Sequence, residues 1–194
     1  MCCRYYFADE LISDVDRIAD FVADPVYTQK SKDIHPADLA PVLLGNQQGS
    51  GIQADLMRWG FPSFDNKLLI NGRAESVLEK KAFSESVLSR RCVLPANCFY
   101  EWDREKTKNT FYLPEHKPMF LAGLFNMLEN ERRFVVLTTE ANASMAPVHD
   151  RMPLLLEPEQ IEPWVLDSKA TRELLEWKPG MLEREAEYEQ LSLF

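Results

Sequence analysis

Residues 91–103 read RCVLPANCFYEWD, and residues 134–139 read FVVLTT. Both stretches are rich in β-branched and aromatic side chains and lack the three- and four-residue apolar recurrence of a surface helix. Strands are therefore expected at 91–94, 98–103 and 134–139. Working outward, TFYL contributes a β-like run at 110–113, MFLAGLF another at 119–125, and PLLL a third at 153–156. Upstream, PVLL (41–44) and IQADLMRW (52–59) flank the turn GNQQGSG, which reads as a hairpin. CCRYYF at 2–7 reads as a short strand, and LLI at 68–70 leads into Asn71-Gly72-Arg73.

Helices are expected around these runs. Leu11, Val15, Ile18 and Val22 recur at helical spacing, predicting an amphipathic helix over 9–24. A second is expected over 74–88. Ser168 is a natural N-cap for a third that reaches Trp177 and is closed by Pro179-Gly180. Strands and helices fall in mixed blocks rather than in alternating βαβ units. The fold class is α+β, with a mixed, mainly antiparallel sheet, flanking helices and one domain over 1–194. An acidic, helical region is expected over 157–194.

The chain has 194 residues, 22 Lys and Arg against 31 Asp and Glu, and a formal charge of −9. No apolar run reaches the roughly 18–20 residues of a membrane helix, so no membrane partner is expected. MCCRYYFADE lacks the apolar core of a secretory signal. Four cysteines, two of them adjacent, make no disulfide framework. A cytoplasmic monomer is the expectation. The charge argues against nonspecific nucleic-acid binding, which depends on Lys and Arg. It is unevenly spread, however: residues 1–38 hold eight acids and four bases, 155–194 ten acids and four bases, and the middle 13 acids and 14 bases. A basic cleft in the middle remains compatible with the total.

Several residues there can carry chemistry. Removal of Met1 would leave Cys2 with a free α-amine beside its thiol, two nucleophiles that titrate near neutrality. An amine forms a Schiff base with an aldehyde, and a neighbouring thiol can close that imine into a five-membered thiazolidine. The bland alternative is a small apolar residue opening a strand. Cys2, Cys3, Cys92, Cys98 and the three histidines show no ligand spacing, so neither metal nor other cofactor is expected. Asn71 reads as a turn or cap residue, or as an amide that orients a carbonyl or hydroxyl. Alternation puts Glu101 on the face of Phe99, where partial desolvation would suit acid–base work; a solvated edge position is the alternative. His149 is either a proton carrier or an exposed loop residue. Arg4, Arg58, Arg73, Arg90, Arg91 and Arg151 adjoin these segments, and Trp59 follows Arg58. Such a guanidinium–aromatic set suits a single-stranded nucleic-acid groove.

Taken in order, Cys2-Cys3-Arg4-Tyr5, Arg58-Trp59-Gly60, Asn71-Gly72-Arg73-Ala74-Glu75, Arg91 to Ala96 running into Phe99-Tyr100-Glu101-Trp102, Phe120 to Leu124, Thr138 to Asn142 and His149-Asp150-Arg151-Met152-Pro153 form seven blocks between residues 2 and 156. They resemble the SOS-response-associated peptidase (SRAP) family of abasic-site-processing proteins. The resemblance implies a barrel-like α+β domain that reacts with abasic sites in single-stranded DNA. It implies Cys2 as the nucleophile of a covalent thiazolidine crosslink, with Asn71, Glu101 and His149 as the other site residues. Arg4, Arg58, Arg73 and Arg151 would meet phosphates and Trp59 would stack a base. It also implies autocatalytic removal of Met1, a peptidase-type activity. The alternatives are a thiol peptidase acting on proteins and a non-covalent single-stranded DNA-binding module. Cys3 and Cys98 stand where the family pattern has Gly, Asn97 stands where it has Asp, and the C-terminal segment is short and acidic.

Overall fold

Five strands close into a barrel in the computed structural model, which describes residues 2–65 and 67–187. Leu39–Gly45 pairs antiparallel with Ile52–Trp59 across the GNQQGSG turn, as the hairpin reading expects. Leu39–Gly45 also pairs with Arg91–Ala96, which pairs with Met119–Leu128, which pairs with Glu131–Glu140. The ring is completed by a parallel pairing of Glu131–Glu140 with Ile52–Trp59, at Arg133↔Arg58 and Phe134↔Trp59. Closure leaves these strands no long free edge. A second, five-strand antiparallel sheet runs in the order Glu183–Ala186, Lys108–Tyr112, Cys98–Trp102, Tyr5–Phe7, Lys32–Ile34.

Alternation along the barrel strands supplies two apolar faces. Val42, Leu94, Leu121 and Val136 join Tyr5, Phe7, Phe99 and Phe111 of the second sheet in one core cluster. Leu43, Val93, Ala122, Val135 and Leu137 face the other way and pack with Val15, Val87, Trp164 and Leu174 of the flanking helices. Strands apolar on both faces explain the continuous β-like runs that marked them in the sequence. Arg91 joins the barrel to two of these helices: its buried guanidinium donates to the carbonyls of Val87, Leu88 and Trp164.

The helices are shorter than their patterns predict. The 9–24 segment is helical over Asp9–Leu11 (a 3₁₀ turn) and Ile12–Ile18, and its last residue opens a separate short helix, Asp24–Tyr27. The first helix stops at Ile18 because Asp20 accepts the Ile52 amide at 2.9 Å and donates its own to the Ile52 carbonyl, after which Phe21–Val22 adds to the sheet as a parallel strand. Residues 74–79 form turns, and the helix covers only Ser84–Ser89. Ser168 caps no helix: one helix, Ile161–Leu166, precedes it, and another, Thr171–Leu175, follows.

The C-terminal region also departs from a helical reading. Glu183–Ala186 is an edge strand on Lys108–Tyr112, with Glu185 accepting from the Tyr112 hydroxyl at 3.0 Å. Its exposed charges suit an edge, where they discourage pairing with another chain. Within the acidic region 157–194 that was expected to be helical, Ile161–Leu166 and Thr171–Leu175 are helices, and 188–194 lie outside the described residues. Among those described, no helix is long and apolar enough to cross a membrane.

Candidate functional site

The candidate residues lie along the second sheet's Cys98–Trp102 strand and the short strand Asn71–Arg73 that joins the barrel sheet. Tyr5 pairs with Phe99, and the Arg4 carbonyl accepts the Tyr100 amide at 3.0 Å, so the antiparallel register carries Cys2 and Cys3 alongside Glu101 and Trp102. Cys2 is 1% exposed and belongs to the core cluster of Tyr5 and Trp59. Burial, then the charge of Glu101, pushes its thiol far above the ordinary range; a contact to the Arg4 carbonyl at 3.8 Å pulls weakly the other way. The thiol is therefore held protonated at neutral pH. Cys3, half-buried, is raised by the same two causes.

Asn71 opens the short strand Asn71–Arg73, which pairs parallel with Glu131–Glu140. Its Nδ2 donates to the Cys2 carbonyl at 2.8 Å, while its Oδ1 is buried with no hydrogen-bond partner among the described residues. A buried acceptor left open costs about 1–3 kcal/mol, which marks it as a place for a donor that the described residues do not supply as they stand. Glu101 is 6% exposed, so the solvated-edge alternative does not hold for this carboxylate. His149 follows a turn whose Met145 carbonyl accepts its amide. Its ring shares an open cleft of about 660 Å³ with Trp102, Asp103, Arg104, Glu105 and Val148.

The residues expected to meet DNA divide into three kinds. Trp59 is fully buried, lies parallel to Phe134 with centroids 6.0 Å apart, and donates its indole N–H to the Ile70 carbonyl at 2.9 Å. It is a core residue that anchors the approach to Asn71, and no base can reach its face; the stacking expectation is corrected on that ground. Arg58 and Arg151 are committed within the protein. Arg58 bonds Glu131 at 2.7 Å and the Ala37 carbonyl at 2.6 Å, and Arg151 grips Glu75 with two nitrogens and bonds the Thr138 carbonyl. Arg4 lies over the Trp102 ring, 5.1 Å from its centroid, with Asp33 at 3.9 Å.

Arg73 remains exposed and makes no ion pair among the described residues; it lines a hollow of about 440 Å³ with Glu140 and Asp150. Arg104 is a second exposed cation on the His149 cleft, and sequence reasoning missed it. Its only signal was its place in the turn directly after the Glu101 strand. Phe64 was missed as well. It is fully exposed on the hairpin formed by Phe61–Pro62 and Leu68–Leu69, just ahead of Asn71. Among the described residues no three His, Cys, Asp or Glu side chains converge as a metal site.

Comparison with known proteins gives the family and the fold. A sequence model described as SOS response associated peptidase (SRAP) matches residues 1–192. The abasic site processing protein YoaM of Bacillus subtilis is 32% identical over 182 residues, covering 85% of this chain and 79% of that protein. The abasic site processing protein YedK of Escherichia coli is 26% identical, with 86% and 77% covered. A crystal structure of a Bordetella bronchiseptica protein superposes with a TM-score of 0.81 at 19% identity, covering 96% of this chain and all of that one. A Bacteroides thetaiotaomicron protein follows at 0.77, with 95% and 91% covered. These two structures bear on the fold alone.

Proposed function

From the fact that this chain belongs to the SOS response associated peptidase family, we propose that it processes abasic sites in single-stranded DNA by forming a covalent crosslink through Cys2. The observation that carries the reading is the Asn71–Cys2 contact. A side-chain amide holds the carbonyl of residue 2 at 2.8 Å, inside a buried setting that includes the Glu101 charge. Fixing the second residue of a chain this firmly serves a reaction at that residue once Met1 is removed.

The chemistry follows from the surroundings. The ring-opened abasic sugar carries an aldehyde at C1′. The Cys2 α-amine adds to that carbon and one water leaves, giving an imine. The Cys2 thiol then adds across the C=N bond: sulfur bonds to C1′ and the thiol proton ends on nitrogen, closing a thiazolidine. A thiol pushed up by burial suits this order, because it enters as S–H and brings the proton that the nitrogen needs. Glu101 would take a proton from the ammonium form of the amine, and His149 would exchange protons with the sugar oxygen during ring opening. The open Oδ1 of Asn71 would accept from the amine or from a sugar hydroxyl. Arg73 and Arg104 offer uncommitted charge for phosphates, and exposed Phe64 offers a ring for a neighbouring base. A thiol peptidase acting on other proteins needs a ready thiolate, and the surroundings of Cys2 oppose one.

The test is a single-stranded oligonucleotide with one abasic site, incubated with protein whose Met1 is removed. The expected product is stable in a denaturing gel and has the summed mass less one water. Cys2→Ser and Cys2→Ala, each with Met1 removed, should leave an imine that borohydride traps but no durable thiazolidine adduct. An unchanged yield of durable adduct from Cys2→Ala would overturn the proposal.

A further inference from the structure

The edge strand Glu183–Ala186 leads the chain to the rim of the candidate site. The Glu187 amide donates to the Lys108 carbonyl at 2.8 Å, and Lys108 Nζ bonds the Glu187 carboxylate at 2.8 Å. Lys108 stands opposite Trp102 on the neighbouring strand, and its ammonium lies 4.4 Å from the centroid of the Tyr100 ring. Glu187, Lys108 and Trp102 line a hollow of about 490 Å³ together with Glu105. Trp102 and Glu105 also wall the His149 cleft. The chain beyond Glu187, an exposed residue, therefore sets out from the edge of that cleft.

The sequence from this strand onward has two parts. Residues 183–189, EREAEYE, carry four glutamates and one arginine, whereas residues 190–194, QLSLF, carry no charge and three apolar side chains. The acidic part is repelled by phosphate, so the segment does not extend a DNA-binding surface. An uncharged, Leu- and Phe-rich pentapeptide behind an acidic approach has the make-up of a docking peptide, in which a few side chains fill pockets on a folded partner. Gln190 brings an amide that donates and accepts, Ser192 is small, and Leu193-Phe194 forms a compact apolar pair. The matching partner has an apolar pocket and a polar notch a few residues apart. Ring-shaped sliding clamps, which hold polymerases on DNA, present this pair of sites to peptides of the form Gln-Leu-x-Leu-Phe.

We propose that residues 190–194 dock this protein on a bacterial sliding clamp, and that Glu187 places the docked ring beside the candidate site. Seven residues separate Glu187 from Phe194 and span at most about 25 Å. A clamp gripped by the motif therefore stays within that reach of the Trp102–His149 cleft, and the DNA it encircles meets the cleft at a high effective concentration. Such docking supplies locally the attraction to DNA that a chain of formal charge −9 does not provide over its whole surface.

The test is equilibrium binding of the full chain to a purified bacterial sliding clamp without DNA, followed by biolayer interferometry. The wild-type protein should bind saturably, and a synthetic Gln-Leu-Ser-Leu-Phe peptide should displace it. Leu193→Ala combined with Phe194→Ala should weaken binding at least about tenfold, since two buried apolar side chains are truncated. Phe21→Ala, which removes an exposed ring elsewhere on the surface, should leave it unchanged. The proposal is overturned if the wild-type chain does not bind, if the double variant binds as well as the wild type, or if the peptide binds while the full chain does not. The last result would mean that the segment is covered by the protein itself. Adduct formation with a bare abasic oligonucleotide is measured in parallel, and the double variant should match the wild-type rate. A wild-type protein that forms no adduct but binds the clamp would sink the crosslinking reading and leave the docking intact.

Discussion

Replacing Asn71 separates the stability of the site from its reactivity. Asn71→Ala deletes one hydrogen bond of 2.8 Å to the Cys2 carbonyl, a loss of about 0.5–1.5 kcal/mol. It also deletes a buried Oδ1 without a partner, which returns about 1–3 kcal/mol. The two effects oppose each other, and at their limits they leave the protein between about 0.5 kcal/mol less stable and about 2.5 kcal/mol more stable. At this chain length that is a shift of at most roughly 5–10 °C in Tm. The adduct rate should respond quite differently, because Cys2 would lose the contact that orients it, and at least a tenfold fall is expected. Asn71→Asp keeps the shape but sets an acceptor against a carbonyl oxygen and adds a negative charge near Glu101. It should cost about 2–4 kcal/mol and push the Cys2 thiol higher still. Urea unfolding combined with adduct kinetics at saturating DNA reads both effects. If Asn71→Ala lost more than about 3 kcal/mol while its folded fraction reacted at the wild-type rate, Asn71 would be a structural strand residue, and the reasoning would be wrong.

Trp59→Ala should cost about 3–5 kcal/mol through the cavity it opens, whereas a base-stacking Trp59 would show weaker DNA binding at unchanged Tm; thermal melts alongside fluorescence anisotropy separate the two. Arg73→Ala should leave stability within about 0.5 kcal/mol and reduce the slope of log affinity against log salt by about 0.9, and an unchanged slope in an anisotropy titration would remove Arg73 from the phosphate path. Because burial raises the Cys2 and Cys92 thiols, the stability they contribute is complete below the ordinary value of 9.0 and declines as pH rises past it, when unfolding releases protons that the folded state retains. Tm should therefore fall between about pH 8.5 and 10 in proportion to these buried acids, and a profile equally steep in Cys2→Ala and Cys92→Ala proteins would show that other groups dominate.

Much of the barrel was legible because its strands are apolar on both faces, and such runs stand out in a sequence whatever they pair with. The hairpin at 39–59 was legible for a local reason, a Gly-rich turn between two strand-forming runs. The helices were overcalled where a local pattern lost to a distant partner. Asp20 is captured by Ile52, which ends the first helix early. Glu183–Ala186, helical by propensity, pairs instead with Lys108–Tyr112 at a sheet edge. The candidate site residues Cys2, Asn71, Glu101 and His149 were legible as types in order, but their neighbours were not. Arg58, Arg73 and Arg151 look alike in sequence, and what separates them is whether a carboxylate faces each one.

The sequence by itself determined the residue types able to react, the strand-rich character of the chain and the family to which it belongs, because each of these is written in local composition and in the order of short motifs. Only the tertiary structure decided which of them are available. It buried Trp59, occupied Arg151 with Glu75, left Arg73 and Arg104 uncommitted, and brought the Asn71 amide to the carbonyl of a residue 69 positions away. Exposure and partnership depend on which distant segments the barrel closure brings together, and a linear motif contains no term for that.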